Sequence, residues 1–329
     1  MMKYSQEQAE FLINSRAQFN GAMAQMGNHH LVGNAQPLPK YVWEMVDRQA
    51  VTIQRDVLSV YSDLASSVSM SMPIGKLIHM YPQISDSGGP ANVSLDGRGK
   101  GKADTTVVSY QGTPLPIIDD VVTYGWRQIA AANTEGYNAL QEGGIMNSQR
   151  KVAEKLEDIV LNGDSSIVVG GSTMYGLRNA PSRGTNTHGF TLRSATGAEW
   201  LTAVKKGLDS LQSKNFFTTG VTVYLNWQDW FYASVSDYTA NYAKTILGRL
   251  QEITGLNFVP ASKVPADEML FVVKRADVVT LLNGMPLSTR PQMRTNPEDD
   301  YRFITMAAAS LEIKSDANGN CGVVQVTKA

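Results

Sequence analysis

The sequence predicts an α+β fold in which a long β-ribbon leaves the body and a long helix follows it. Three observations carry this. Residues 70–125 alternate in a β pattern around a tip, SDSGGPANVSLDGRGKGKADT, that is too polar and glycine-rich to pack. Residues 126–162 repeat apolar side chains at helical spacing. Residues 198–266 alternate helical and strand patterns, and a β-rich stretch closes the chain.

In chain order, Phe11, Leu12, Phe19, Met23 and Met26 predict an amphipathic helix over 5–26, with Ser5 and Gln8 spaced as a capping box. A turn-rich stretch from Gly27 to Pro39 separates this arm from the body. Val42, Val46, Ile53, Val57 and Val60 then form one stripe of a helix over 39–62, and Pro39 suits its start. The ribbon follows, with strands at Lys76–Met80 and Thr106–Tyr110. A two-stranded ribbon is marginal alone in water, and so long an excursion does not fit inside one compact domain. It fits if the ribbon lies on a neighbouring molecule.

The long helix should bend at Gly143-Gly144. Its second half buries Val152, Leu156, Ile159 and Val160, while Arg150, Lys151, Glu154, Lys155, Glu157 and Asp158 read as ion pairs on a solvated face. Gly163 suits its C-terminal cap, and a Gly/Ser/Thr-rich loop is expected over 166–197. Helices over 198–213, 227–235 and 242–253 alternate with strands over 221–225 and 256–260. Trp227, Trp230, Phe231 and Tyr232 on the second of these helices read as core. The ending is a strand at 269–273, a short helix at 275–282, a loop at 283–300, and strands at 302–313 and 321–327 joined as a hairpin by DANGN.

Composition excludes several function classes. With 29 basic and 30 acidic residues the net charge is -1, which leaves no broad basic face for tight nucleic-acid binding. Cys321 is the only cysteine, so neither an intrachain disulfide nor a cysteine-rich zinc site can form. No stretch has the length and apolarity of a signal peptide core or a membrane span. Charged residues are 18% of the chain, below the roughly 25% of an average domain, which suits surfaces that meet other protein.

A search for chemistry finds none. Gly97–Lys102 (GRGKGK) is one residue short of a phosphate loop, and Ala103 stands where a hydroxyl is needed. His29 and His30 are adjacent and so do not share a helix face, while His79 and His188 stand alone. No G-x-S-x-G elbow is present. Cys321, in an expected strand, suits a small buried role. No enzyme activity, cofactor or metal is expected.

Two short motifs carry a resemblance. PLPKYVWEMVDRQAVTIQRDVL (37–58), with Trp43 and Arg48, leads into the ribbon. VAEKLEDIVLNGDSSI (152–167) followed by YGLRNAP (175–181) places Glu157, Asp158, Gly163, Gly176 and Leu177 at the end of the long helix. With the segment order, these resemble the tailed-bacteriophage major capsid protein fold, which encapsulin shell proteins share. The resemblance implies an N-terminal arm (1–36), a region holding the first helix of the body (37–69) and an extended loop (70–125). It further implies a peripheral domain with a spine helix (126–197), an axial domain (198–266) and a return to the peripheral domain (267–329).

By that resemblance, copies of the chain form pentamers and hexamers that close into an icosahedral head around double-stranded DNA. The wall would contact packaged DNA non-specifically and meet scaffolding, portal and decoration proteins. The location would be the virion, assembled in the bacterial host cytoplasm, without membrane association. An alternative is an encapsulin-like compartment enclosing cargo protein. A hydrolase or transferase built on 198–266 would need convergent polar groups at strand ends, and none is legible. One contact between neighbouring subunits is expected: Arg98, Lys100 and Lys102 of the loop tip against Glu298, Asp299 and Asp300. Each exposed pair contributes only about 0–1 kcal/mol, multiplied over many copies.

Overall fold

The computed structural model describes residues 59–85, 105–134, 139–215, 220–240 and 242–329, with Asn14, Ser15, Gln18 and Leu95. Most of the expected helices at 5–26 and 39–62, and the basic residues Arg98, Lys100 and Lys102, lie outside the described residues. The chain divides into two compact units. Among the described residues of the body, one holds 123–134, 139–144 and 292–302, the other 59–85, 105–122, 145–215, 220–240, 242–291 and 303–329.

The larger unit is built on a five-stranded sheet in the order β11-β8-β12-β15-β7. Its strands are β7 (Gly184–His188), β8 (Val221–Asn226), β11 (Asn257–Ala261), β12 (Glu268–Val273) and β15 (Val323–Lys328). Every residue of the central β12, EMLFVV, is buried, as expected of a strand covered on both faces. Helix α4 (Gly197–Asn215) packs on β7 and β15, and the Trp200 indole N–H closes the core by donating to the Leu192 carbonyl at 3.0 Å. Helix α1 (Ser59–Val68) buries Val60 and Leu64 in the same core. Its Asp63 accepts from the Tyr224 hydroxyl at 2.7 Å and pairs with Lys274 at 2.9 Å. Burial, reinforced by that carboxylate, pushes the Tyr224 phenol up. The expected division at 266/267 cuts across this sheet, because β12 and β15 pair with each other and β12 pairs with β8.

A second sheet runs β1-β13-β14-β4, from β1 (Ser69–Ser71), β4 (Ile118–Tyr124), β13 (Val279–Pro291) and β14 (Tyr301–Ile313). Strand β13 takes the second half of the helix expected at 275–282 and the first half of the loop expected at 283–300, while 292–300 are loop as expected. Gly284 and Pro286 sit where the β13–β14 register shifts between Asn283 and Ser288. A bulge tolerates both, because it interrupts the ladder without ending the strand. The hairpin expected through DANGN reduces to one bridge, Ser315 to Cys321, since β15 is drawn into the five-stranded sheet. The stretch read as loop at 166–197 holds β7 and a tight hairpin, β5 (Gly163–Val169) and β6 (Ser172–Tyr175). Gly170 and Gly171 turn it at φ +58° and +80°, the left-handed pair that a two-residue hairpin needs.

Of the expected long helix the described residues hold α2 (Trp126–Thr134) and α3 (Ala139–Asn162), and Gly143-Gly144 lies inside α3. Two glycines cost a helix about 1 kcal/mol each, which packing can override. Helix α3 buries Val152, Leu156, Ile159 and Val160, as its spacing predicts. Its last carbonyls are met by the loop of the second motif: Leu177 N–H donates to Val160 at 3.0 Å and Arg178 N–H to Leu161 at 2.8 Å. Gly163 leaves the helix at φ +63° with its backbone against that of Gly176; a Cβ on Gly163 would lie 2.5 Å from the Gly176 nitrogen. A Cβ on Gly176 would likewise collide with the Gly163 nitrogen. Gly176→Ala should therefore destabilise the subunit by about 3 kcal/mol, the upper range of overpacking costs, in urea unfolding of dissociated subunits. A loss under about 1 kcal/mol would show that the loop moves freely off the helix end.

Candidate functional site

The buried polar groups serve the fold. His188 is buried, stacks on Phe190 at 4.7 Å and has Nε2 3.0 Å from the Asp267 carbonyl. Asp229 accepts from Arg193 at 2.9 Å and from the Asp267 N–H at 2.8 Å. Cys321 is a buried thiol. Among the described residues, no three His, Cys, Asp or Glu side chains are placed to hold a metal ion, and no helix is long and apolar enough to cross a membrane.

Glu157 departs from the solvated face expected of it. It is buried, and its Oε1 accepts from Val60 N–H at 2.9 Å and Ser59 Oγ at 3.3 Å, its Oε2 from Tyr61 N–H at 2.9 Å. Its neighbours do form the expected surface pairs, Arg150 with Glu154 at 3.7 Å and Lys155 with Asp158 at 3.1 Å.

The informative surface is the ribbon. Strands β2 (Ile78–Ile84) and β3 (Val108–Pro114) pair antiparallel from Ile78↔Pro114 to Ile84↔Val108. Opposed residues share a face, so His79, Tyr81 and Gln83 lie on one side and Met80, Pro82, Ile84, Tyr110 and Val108 on the other. The first face is polar, and it meets the end of β14. His79 Nδ1 lies 2.7 Å from Glu312 Oε1, and Tyr81 Oη accepts from Ser315 N–H at 3.1 Å. Gln83 Nε2 donates to the Ser315 carbonyl at 2.9 Å and to its Oγ at 2.8 Å. The second face is apolar. The β5–β6 hairpin packs beside β3, with Ser172 against Gly112 and Gly170 against Ile78; even so, Ile84 is 62% and Tyr110 66% exposed. A surface ribbon ordinarily turns its apolar side to the core and its polar side to water. This one is reversed.

A second apolar surface lies on α5 (Trp227–Val235). Asp229 and Ala233 take the buried side of this helix, which turns Trp227, Phe231 and Val235 outward, one turn apart. Trp227 stacks on Trp230 at 5.4 Å and on Phe231 at 6.4 Å. The expectation that these aromatics are core holds for Trp230 and Tyr232, which pack on it, and fails for Trp227 and Phe231.

The acidic residues Glu298, Asp299 and Asp300 lie on the tip between β13 and β14, with Glu298 and Asp300 exposed. Asp299 is turned into its own loop, where Oδ2 accepts from Asn296 N–H at 2.8 Å and Thr295 N–H at 3.1 Å. The Asn296 bond above all holds its carboxyl below the usual range. The Arg294 guanidinium lies 3.7 Å over the Tyr301 ring in the same tip. The tip is thus self-braced, leaving Glu298 and Asp300 to face outward. Alternation along β2 separates the two ribbon faces without saying which one meets the body, and nothing local could have found the partners of Glu157.

The capsid of Myoviridae phage XM1 superposes with a TM-score of 0.68 at 12% identity, over 90% of this chain and 100% of that one. A structure from Mycobacterium phage Bobi gives 0.59 at 12% identity, over 87% and 95%. A virus-like particle from Pyrococcus furiosus gives 0.51 at 13% identity, over 80% and 91%. The fold is therefore the one common to phage capsids and that particle, a mixed α and β architecture. No curated protein matches the sequence. Residues 33–326 match a family of unknown function, DUF6260, and to that family this chain belongs.

Proposed function

We propose that this chain is a shell subunit, the major capsid protein of a tailed phage, which closes with copies of itself into an icosahedral head around double-stranded DNA. The observation that carries this is the reversed ribbon. An exposed apolar face of Met80, Ile84, Val108 and Tyr110 on an excursion with no core of its own has a physical reason only if another molecule covers it. In a closed shell a neighbouring copy does so, and small heterologous contacts repeated around rotation axes supply the assembly free energy. Pentamers and hexamers are the capsomers this reading implies. Residues 198–266, with β7, β12 and β15 that complete their sheet, then serve as the axial domain, and the rest of 126–197 and 267–329 as the peripheral one. Scaffolding, portal and decoration proteins are its further partners, the virion its location and the host cytoplasm its place of assembly. The tip contact of Arg98, Lys100 and Lys102 with Glu298 and Asp300 belongs to the same proposal; Asp299 is the weakest of the three acids for it, being engaged at home.

The test is electron microscopy of the purified protein. Closed polyhedral particles are expected, and a protein that stays monomeric at all concentrations would overturn the reading. An encapsulin-like compartment is the second reading, favoured by the likeness to the Pyrococcus furiosus particle. Nuclease-protected double-stranded DNA in particles recovered from producing cells supports the phage head; a co-purifying cargo protein without DNA supports the compartment.

A further inference from the structure

We infer that His79, Tyr81 and Gln83 form a rack that fixes the ribbon's angle on its own body, and that this angle sets the curvature of the shell. The inference rests on the shell reading and adds to it the residues that determine shell geometry.

The three side chains occupy alternate positions on one face of β2, so each points the same way. All three reach the short segment Glu312–Ser315 at the end of β14. That seat is itself fixed. The Lys314 N–H donates to the Val278 carbonyl at 2.8 Å, and the Lys314 ammonium to the Ala276 carbonyl at 2.7 Å. Glu312 is buried, and its Oε1 lies 2.7 Å from His79 Nδ1, within hydrogen-bond reach. The other Glu312 oxygen has the Lys314 ammonium at 3.7 Å.

From His79 to Gln83 these anchors span roughly 13 Å, at about 3.3 Å per residue. Hydrogen bonds weaken steeply away from their preferred angles, so a ribbon pinned at three points along its length cannot pivot without breaking them. An apolar seat would hold the ribbon as firmly while letting it slide. The polar seat leaves the apolar face for the neighbour and also dictates the direction in which that neighbour must lie. Repeated at every subunit, that direction is the local curvature.

Tyr81→Phe, Gln83→Ala and their combination test this, with Gln111→Ala, exposed on the same ribbon face opposite Tyr81, as the control. Amide exchange of the unassembled subunit reads the rack directly: Ser315 N–H donates to Tyr81 Oη, so Tyr81→Phe should lose its protection. Cryo-electron microscopy reads curvature. Wild type and the control should give one diameter, and the combined variant a spread of diameters or open sheets. If Ser315 loses protection and the diameter stays single, the ribbon's angle does not set curvature and the inference fails. Unchanged Ser315 protection would dismiss the rack itself. If the combined variant does not fold, Gln83→Ala alone carries the comparison. Wild-type protein that forms no particle brings down the shell reading and the curvature claim with it, while the exchange result still decides whether the rack exists.

Discussion

Replacing Glu157 with alanine is expected to destabilise the subunit by about 3 kcal/mol, since it leaves the buried Val60 N–H and the partly buried Tyr61 N–H unmet, at about 1–3 kcal/mol for a buried donor. The first N–H groups of a helix have no partner within it, and its N-terminus carries partial positive charge. At α1 both needs are met by one carboxylate from the middle of another helix, which accepts from Val60 and Tyr61 in charge-assisted bonds of 2.9 Å. Glu157 thus holds α1 against α3. Glu157→Gln keeps one accepting oxygen but turns an NH2 group toward a second donor, and should cost about half as much. Urea unfolding of dissociated subunits measures both. A loss below about 1 kcal/mol for the alanine variant would mean that α1 finds another cap, and the structural role given to Glu157 would be wrong.

Placing glutamates at Ile84 and Tyr110 together should abolish particle formation while leaving the folded subunit nearly unchanged. Both residues are exposed in the single chain, on the face that the body does not cover. Exposed substitutions of this kind shift stability by about 0.5 kcal/mol or less. At an interface the same charges would be buried without partners, at several kcal/mol per subunit, and a shell multiplies that penalty over every copy. Sedimentation and electron microscopy report assembly, and thermal unfolding of the subunit reports the fold. A variant that assembles like wild type would show that this face stays in water, removing the observation on which the proposed function stands. A variant that neither assembles nor folds would point instead to a structural role for the ribbon.

The elements legible in the sequence are those whose signal is local. Helices α3 and α4 announce themselves by apolar side chains at helical spacing, and β8 and β12 by short buried runs. The ending of α3 was legible as a motif, Gly163 followed by Gly176 and Leu177, though its meaning is spatial: two backbones in contact that leave no room for a Cβ. Glu157 was misread because charges three and four apart on a helix predict surface pairs, while its actual partners lie 97 and 96 positions away. Trp227 and Phe231 were misread because a helix rich in aromatics has more apolar faces than its core can cover.

By itself the sequence determined the segment order, the ribbon, the long helix after it and the absence of a recognisable catalytic motif, since periodicity and composition act over a few residues. Only the tertiary structure decided which β13 residues stay paired across Gly284 and Pro286, where β15 inserts, and which face of the ribbon turns outward. Alternation along β2 separates two faces but is silent on which one meets the body. That depends on a seat at Glu312–Ser315, more than two hundred residues further along the chain, and no local pattern encodes a partner at such a distance.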